Sequence, residues 1–352
     1  IGGFQRGTAV LQGPQLEAQW VQRSGRATWI AGAGAFAGTV ELRSAFTDDF
    51  EADDTFANGY GYVKLRGLGP VELTAGAAVE SVETPLGLLP PRDSNIAPAD
   101  LPYTETEFSP KLGATATFGT GTTLRAGVYR RLAPFLGRLQ TLEPTQVAGF
   151  NQFFEDVGGT RSWSYGVGID QAIGRRWFLG ASYTIRDLTV PEAYCDRETE
   201  WNEFSGCAGF APSVIEDRDS DERWTRAYAS AALARWIAVS IDFDHEDREF
   251  DTTSVTPTGV FQDAVRTRRI RPEIRLFSHY GLFVRLSATH YDQEVDQFDT
   301  LGVSDRSVVE SDFWVADASL GYRFPKRWGS FVLEGRNLAN EKFEFYERSV
   351  QE

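Results

Sequence analysis

The sequence contains no methionine, only two cysteines and only three histidines. Two cysteines are too few for the disulfide framework of a small secreted domain. No stretch approaches the ~18 consecutive apolar residues of a transmembrane helix. Basic residues are outnumbered, 35 Lys and Arg against 50 Asp and Glu, and the resulting net charge of -15 argues against a nucleic-acid partner. A hydrophobic content of 41% in turn excludes a disordered chain.

What the chain has in abundance is a two-residue alternation of side-chain type. Trp163, Tyr165 and Val167 alternate with small or polar residues, and residues 177–185 repeat the pattern. Because successive side chains of a strand point to opposite faces, such segments have one apolar face and one polar or glycine face. The pattern recurs along all 352 residues without a linker, and it predicts about fourteen strands. The predicted strands are 14–22, 27–46, 58–66, 70–80, 107–118, 121–131, 160–171, 176–187, 223–233, 236–247, 264–277, 281–292, 311–324 and 329–338.

The connections between these strands alternate in length. The short ones are 23–26, 67–69, 119–120, 172–175, 234–235, 278–280 and 325–328, and the long ones are 47–57, 81–106, 132–159, 188–222, 248–263 and 293–310. Short turns at one end and long loops at the other are typical of outer-membrane barrels. We therefore predict an all-β fold, a transmembrane antiparallel up-and-down β-barrel of about 14–16 strands. It would occupy residues 1–352 as a single domain, with short periplasmic turns and long extracellular loops.

Tryptophans lie near the ends of the predicted strands, at Trp20, Trp163, Trp177, Trp224, Trp236, Trp314 and Trp328. Membrane barrels carry aromatic girdles at these levels, where the strands cross the two membrane interfaces. The alternative is a large soluble β-sandwich with these tryptophans in its core. The barrel interpretation places the protein in the bacterial outer membrane, in contact with lipid and lipopolysaccharide.

If the apolar faces contact lipid, the opposite faces line the lumen, and they carry charges of both signs. The basic candidates for a binding site in the lumen are Arg125, Arg269, Arg271, Arg275, Arg285 and Arg336. One interpretation is a ladder of cross-strand salt bridges that stabilises the wall. The other is a lumen that favours anions or polyanions, with these arginines in contact with the cargo.

Two predicted loops carry side chains of chemical interest. Cys195 and Cys207 lie in one loop, and an oxidising envelope compartment favours a disulfide between them. Because no histidine lies nearby, we predict no metal site at this pair. The acidic residues of 48–54 lack the spacing of an EF-hand, so we interpret them as a solvated loop rather than a Ca²⁺ site. The sequence predicts no cofactor.

The sequence also lacks the motifs of common enzymes. His245, His279 and His290 stand in no triad context, and there is no HExxH, GxSxG or Walker motif. The glycines within 32–34 lie in a strand-like run rather than at a strand-to-helix turn. We predict that the protein is not an enzyme. An outer-membrane hydrolase is the alternative, because catalytic groups on strand tips need no local motif.

Three stretches resemble a known family. Residues 108–113 (FSPKLG) and 121–127 (GTTLRAG) resemble the F-x-P-K-x-G … L-R-A strand pair of TonB-dependent receptor barrels. Residues 335–343 (GRNLANEKF) resemble the N-L-F-D-x-x-Y/F motif near that family's C-terminus. Residues 140–154 (QTLEPTQVAGFNQFF) resemble a segment of large outer-membrane proteins that join periplasmic tetratricopeptide repeats to such a barrel. The resemblance implies an outer-membrane transport barrel.

The sequence departs from the family in its extent. The family has a plug domain before a barrel of about 22 strands, whereas this sequence shows no plug and fewer strands. We therefore expect a barrel that is part of a longer chain, with an N-terminal periplasmic or plug domain and a closing strand outside this sequence.

Four functional hypotheses follow. The first is a transport or export conduit for a larger envelope system, with a periplasmic domain or partner protein that selects the cargo. The second is a TonB-dependent uptake receptor. The third is a structural anchor of a surface assembly, and the fourth is a general porin. The tetratricopeptide resemblance favours export or assembly over uptake.

Overall fold

A computed structural model describes residues 7–44, 50–86, 101–134, 141–152, 156–194, 214–250, 260–299 and 305–346. The first strands are β1 Gly7–Gln12, β2 Gln15–Ser24, β3 Ala27–Ser44, β4 Phe50–Leu68, β5 Val71–Leu86, β6 Leu101–Thr117, β7 Thr122–Leu132, β8 Gln146–Val147 and β9 Phe150–Asn151. The remaining strands are β10 Arg161–Ile173, β11 Trp177–Tyr194, β12 Val214–Ala234, β13 Ile237–Phe250, β14 Val260–Phe277, β15 Leu282–Asp299, β16 Asp305–Arg323 and β17 Ser330–Gly335. Among the residues described, no helix has the length and hydropathy needed to cross a membrane.

Fifteen of the strands form one antiparallel sheet with up-and-down order. β1 and β2 pair with the two halves of β3, so together they occupy one position in the sheet. The strand is interrupted between them at residues 13–14. A Cβ on Gly13 would collide there with the carbonyl oxygen of Ala37. Each other strand pairs with its neighbour in sequence, except that β7 pairs directly with β10. The predicted fold class is confirmed, and all fourteen predicted strands are present.

The strands are longer than predicted at the ends opposite the short turns. β4 begins at Phe50, so most of the connection predicted over 47–57 is strand. Residues 50–54 belong to β4, so the prediction of a loop over 48–54 is wrong for them. Of their acids, Asp54 is buried, whereas Glu51 and Asp53 are exposed to solvent. Cross-strand ion pairs explain the extension elsewhere, since Arg266 contacts both Asp247 and Glu294 on the neighbouring strands.

The two faces of the sheet differ in chemistry. One face exposes a belt of apolar side chains, including Val79, Leu112, Val167, Ile241 and Leu286. The opposite face carries the polar side chains and is called the lumen face below. The exposed belt is the lipid-facing surface that an outer-membrane barrel requires.

Five of the seven predicted girdle tryptophans are exposed, and Trp163 is half-buried on the same face as Tyr165, with which it stacks. Trp20, Trp177, Trp236, Trp314 and Trp328 are exposed on the sheet or its turns. Trp224 instead belongs to the lumen face, because it shares the parity of Arg226 on β12 and lines a cavity with it. The girdle prediction is therefore wrong for Trp224, since position near a strand end does not fix the face.

The sheet ends on a shorter strand than the predicted 329–338. β17 stops at Gly335, and residues 337–346 turn onto the lumen face of β15 and β16. There the Phe343 ring stacks on Phe313 with centroids 4.3 Å apart, and the backbone N–H of Tyr346 donates to Gln293 Oε1 at 2.7 Å. The pairings of the described residues leave β1 and β2 at one edge of the sheet and β17 at the other.

Candidate functional site

Residues 141–152 of the long connection between β7 and β10 lie against the lumen face. We call these residues the in-folded segment. Its backbone is held by wall side chains at both ends, because Gln19 donates to the carbonyl oxygen of Leu142 and the Tyr129 hydroxyl donates to that of Asn151. Between these points the short hairpin of β8 and β9 gives the segment its own turn, with Ala148 and Gly149 at positive φ.

Glu143 anchors one end of the in-folded segment. Its carboxylate accepts hydrogen bonds from the Tyr62 hydroxyl at 2.6 Å and from Asn58 Nδ2 at 3.3 Å. Lys111 Nζ and Arg131 Nη1 lie 3.6 and 3.7 Å from its oxygens. The side chains of Glu143 and Lys111 are fully buried, so this cluster is screened little by water.

Glu80 on β5 balances the second cation of this cluster. Its carboxylate lies 3.4 Å from Arg131 Nη1 and accepts hydrogen bonds from Ser109 Oγ at 2.5 Å and from the backbone N–H of Leu132 at 3.0 Å. Two buried carboxylates therefore face two buried cations, and one of the carboxylates belongs to the in-folded segment. Removing one charged partner from such a cluster leaves an uncompensated buried charge.

Three glycines form the floor beneath the middle of the segment. Gly113, Gly127 and Gly166 lie side by side on β6, β7 and β10. A Cβ on Gly113 would lie 2.7 Å from the Cβ of Ala148, and one on Gly166 would lie 2.5 Å from a ring carbon of Phe150. Only a wall without side chains at these positions lets the segment approach so closely.

A second buried ion cluster holds the chain just beyond the segment. Asp156 pairs with Arg186 on β11, and Arg186 also donates to Glu222 on β12 at 2.6 Å. All three side chains are buried. The connection is thus fixed to both walls, to β4–β7 through Glu143 and to β11–β12 through Asp156.

A cavity of about 70 Å³ lies between the in-folded segment and the lumen face of β7, β11 and β12. The in-folded segment contributes Gly149, Phe150 and Asn151, and the wall contributes Arg125, Tyr129, Ser182, Thr184, Trp224 and Arg226. Arg125 Nη1 donates to the carbonyl oxygen of Gly149 at 3.2 Å and so joins the wall to the segment at this cavity.

The six predicted arginines all lie in ion pairs. The pairs are Arg125–Asp170 at 2.9 Å, Arg269–Asp244 at 2.6 Å, Arg271–Glu273 at 3.2 Å, Arg275–Glu273, Arg285–Glu334 at 2.7 Å and Arg336–Glu334 at 3.3 Å. Arg125, Arg269 and Arg285 pair with an acid on another strand, whereas Arg271, Arg275 and Arg336 pair with an acid two residues away in sequence. The cross-strand ladder and anion binding by the set both stay predictions. Of the six, Arg125 contacts the in-folded segment. Cys195 and Cys207 lie outside the described residues.

Apart from Arg125, the residues that build the site were not among the sequence candidates. Lys111 and Glu143 stood inside the motif stretches 108–113 and 140–154, but no role was assigned to either. The floor left a readable signal, because Gly113, Gly127 and Gly166 interrupt the polar face of three consecutive strands. Glu143 left none, since a single acid in a long connection is normally solvated.

No protein-family model matches the chain, and no curated protein matches its sequence. Solved structures do match. The FrpB iron transporter from Neisseria meningitidis aligns with a TM-score of 0.63 at 10% identity, over 97% of this chain and 52% of that chain. The copper transporter OprC aligns at 0.61 and 14% identity, also over 97% and 52%. The ferripyoverdine receptor of the outer membrane of Pseudomonas aeruginosa aligns at 0.59 and 14% identity, over 96% and 46%.

These similarities define the class of fold. The neighbours are two transporters and a receptor, and the fold of this chain is that of an outer-membrane β-barrel. They are all bacterial outer-membrane proteins, which agrees with the predicted location. The chain spans about half the length of these structures.

Proposed function

We propose that the chain forms the wall of an outer-membrane transport conduit whose lumen is narrowed by the in-folded segment. The observation that carries the proposal is the seating of residues 141–152 on the lumen face, through buried Glu143 and the glycine floor. The fold supports it as well, because the similar solved structures are transporters and receptors of the outer membrane.

The attachment of the segment fits a movable obstruction. β7 and β10 pair directly with each other, so the wall is continuous behind the segment. The segment can therefore leave the lumen without breaking a strand pairing. What holds it is a small set of side-chain contacts, of which the Glu143 cluster is the most buried.

The partner is proposed from the resemblance of residues 140–154. Similar segments belong to proteins that carry periplasmic tetratricopeptide repeats, so the conduit would work in export or assembly with such a domain or partner protein. The second candidate is TonB-dependent uptake, which is favoured by the three-dimensional similarity to receptors of that kind. In either case the apolar belt contacts outer-membrane lipid.

Ion conductance of the full-length protein in planar bilayers tests the obstruction. We expect low conductance from the wild type and a rise in Glu143→Gln, because the amide leaves Lys111 and Arg131 without their anionic partner on the segment. The matched control is Glu294→Gln, a partly exposed acid paired with Arg266, which should conduct like the wild type. High conductance of the wild type would indicate a general porin, and none from any variant would indicate an anchor.

A cross-link separates opening of the segment from general loosening of the wall. Cysteines replace Gln19 on the wall and Leu142 on the segment, two residues that are in contact in the wild type, after Cys195 and Cys207 are replaced by serine. A short reducible thiol cross-linker joins them. In the Glu143→Gln background we expect low conductance when the two cysteines are cross-linked and a rise on reduction. The intact mass and terminal peptides of the polypeptide from outer membranes then identify any upstream domain, with a plug favouring uptake and helical repeats favouring export.

A further inference from the structure

The cavity beside Phe150 has the chemistry of a binding site. Its rim carries two guanidinium groups, each of which lies over an aromatic ring. The Arg226 guanidinium carbon lies 4.9 Å from the Trp224 ring centroid, and that of Arg125 lies 5.3 Å from the Phe150 centroid. The hydroxyl-bearing residues Ser182 and Thr184 complete the wall. Such a cavity combines positive charge, ring surface and neutral hydrogen-bonding groups.

The two arginines that line the cavity differ in how firmly they are paired. Arg125 pairs with Asp170, while Arg226 and Arg269 share one carboxylate, that of Asp244. Arg269 takes the better geometry, with Nη2 at 2.6 Å, whereas Arg226 reaches Asp244 through Nε at 3.4 Å. On the same face of β13, Glu246 lies opposite Trp224 and Asp242 lies opposite Tyr228. The Arg226 side chain is 54% exposed, so it is the cation best placed to accept another anion.

The size of the cavity limits what can enter. Its volume of about 70 Å³ is several times the ~10–15 Å³ that one water molecule needs by the same measure. That space admits a carboxylate group together with water. A larger solute would place its acidic group in the cavity and its remaining atoms in the lumen.

We propose that this cavity binds the carboxylate group of an anionic solute, with Arg226 as its main cationic partner. The proposal rests on the conduit function, in which the solute is cargo or part of it. The segment takes part in the site because Phe150 and Gly149 line the cavity and Gly149 accepts from Arg125. A carboxylate that competes for Arg125 would therefore loosen the segment from the wall.

Isothermal titration of the full-length protein in detergent provides the test, with galacturonate as probe and galactose as its neutral counterpart. We expect galacturonate to bind at least about tenfold more tightly than galactose, and Arg226→Gln to lose about tenfold of that affinity. The control is Arg275→Gln, which removes a lumen arginine paired with Glu273 away from the cavity and should leave the affinity unchanged. Equal affinity for both sugars, or equal losses in both variants, would overturn the proposal.

A second pair of variants covers the case in which Arg226→Gln fails to fold. Ser182→Asp places a carboxylate in the cavity and should abolish galacturonate binding. Ser182→Asn adds a side chain of nearly the same shape as aspartate but without its charge, and should retain binding. Retained binding in Ser182→Asp contradicts the proposal, as does tighter binding of inorganic phosphate than of galacturonate. Galacturonate binding that depends on Arg226, without conductance in any variant, would contradict the conduit proposal and support the binding site. Conductance that depends on Glu143, without galacturonate binding, would support the conduit and contradict the binding site.

Discussion

At the scale of single residues, Glu143 is the side chain on which most of the site depends. Glu143→Gln keeps the shape of the side chain and removes its charge, which leaves Glu80 to balance both Lys111 and Arg131. Removing one partner from a buried ion pair costs about 3–5 kcal/mol, and we expect a loss of that size in urea unfolding. Glu294→Gln, at a side chain 44% exposed, should cost less than about 1 kcal/mol. Similar losses in the two variants would contradict the role given to Glu143.

The glycine floor makes a separate prediction about packing. Gly166→Ala adds a Cβ that would lie 2.5 Å from the Phe150 ring, and overpacking of this kind costs about 1–3 kcal/mol. Gly61→Ala is the matched control, because nothing lies within 4 Å of its added Cβ. A double-mutant cycle with Phe150→Ala measures the contact, and we expect the ring deletion to relieve most of the loss caused by Gly166→Ala. Additive effects would show that the ring does not rest on this glycine.

At the scale of elements, residues 337–346 behave as a strap over the lumen face of β15 and β16. Asn337 begins the strap at φ 48°, where its side chain accepts from the backbone N–H of Glu341 and donates to the carbonyl oxygen of the same residue, both at 2.9 Å. Asn is one of the few side chains that tolerates this backbone conformation. The turn directs Phe343 and Phe345 onto Phe313.

The strap is tested by changing Asn337 alone. Asn337→Ala loses both hydrogen bonds and adds backbone strain, so we expect about 1–3 kcal/mol less stability of the strap. Asn337→Asp keeps the acceptor and the conformational tolerance, and should lose less. Amide hydrogen exchange at Leu338 and Tyr346 reports the difference, since their N–H groups bond to Ala316 and Gln293. Unchanged exchange in Asn337→Ala would rule out control of the strap by this turn.

At the scale of the whole molecule, the assignment of the two faces can be tested with one residue type. Leu112 is 55% exposed on the apolar belt, and Leu142 is 53% exposed on the in-folded segment. An arginine facing lipid costs about 2–4 kcal/mol near the bilayer midplane, whereas one facing lumen water costs little. We expect Leu112→Arg to impair folding into lipid vesicles and Leu142→Arg to fold like the wild type, as followed by heat-modifiable migration on gels. The opposite order would invert the faces.

The sequence predicted the strands of the wall much better than it predicted the in-folded segment and the residues that hold it. Alternation of side chains located every strand of the sheet except β1, because each strand is in contact with lipid on one face and with polar groups on the other. It missed the lengths of the strands beyond the lipid, where ion pairs such as Arg266–Glu294 replace the apolar signal. The sequence pattern also did not identify Glu143 and Phe150, because the residues that contact them, Lys111, Gly127 and Gly166, come from three different strands. Only the three-dimensional register brings such residues together.

The direct pairing of β7 with β10 has a consequence for the order of assembly. The two strands can zip together as a local hairpin of low contact order while the residues between them are still unplaced. Because the intervening loop closes at a modest entropic cost, its length is nearly free to vary during evolution. Descendants of this gene could therefore exchange the in-folded segment as a unit while the surrounding wall keeps its register.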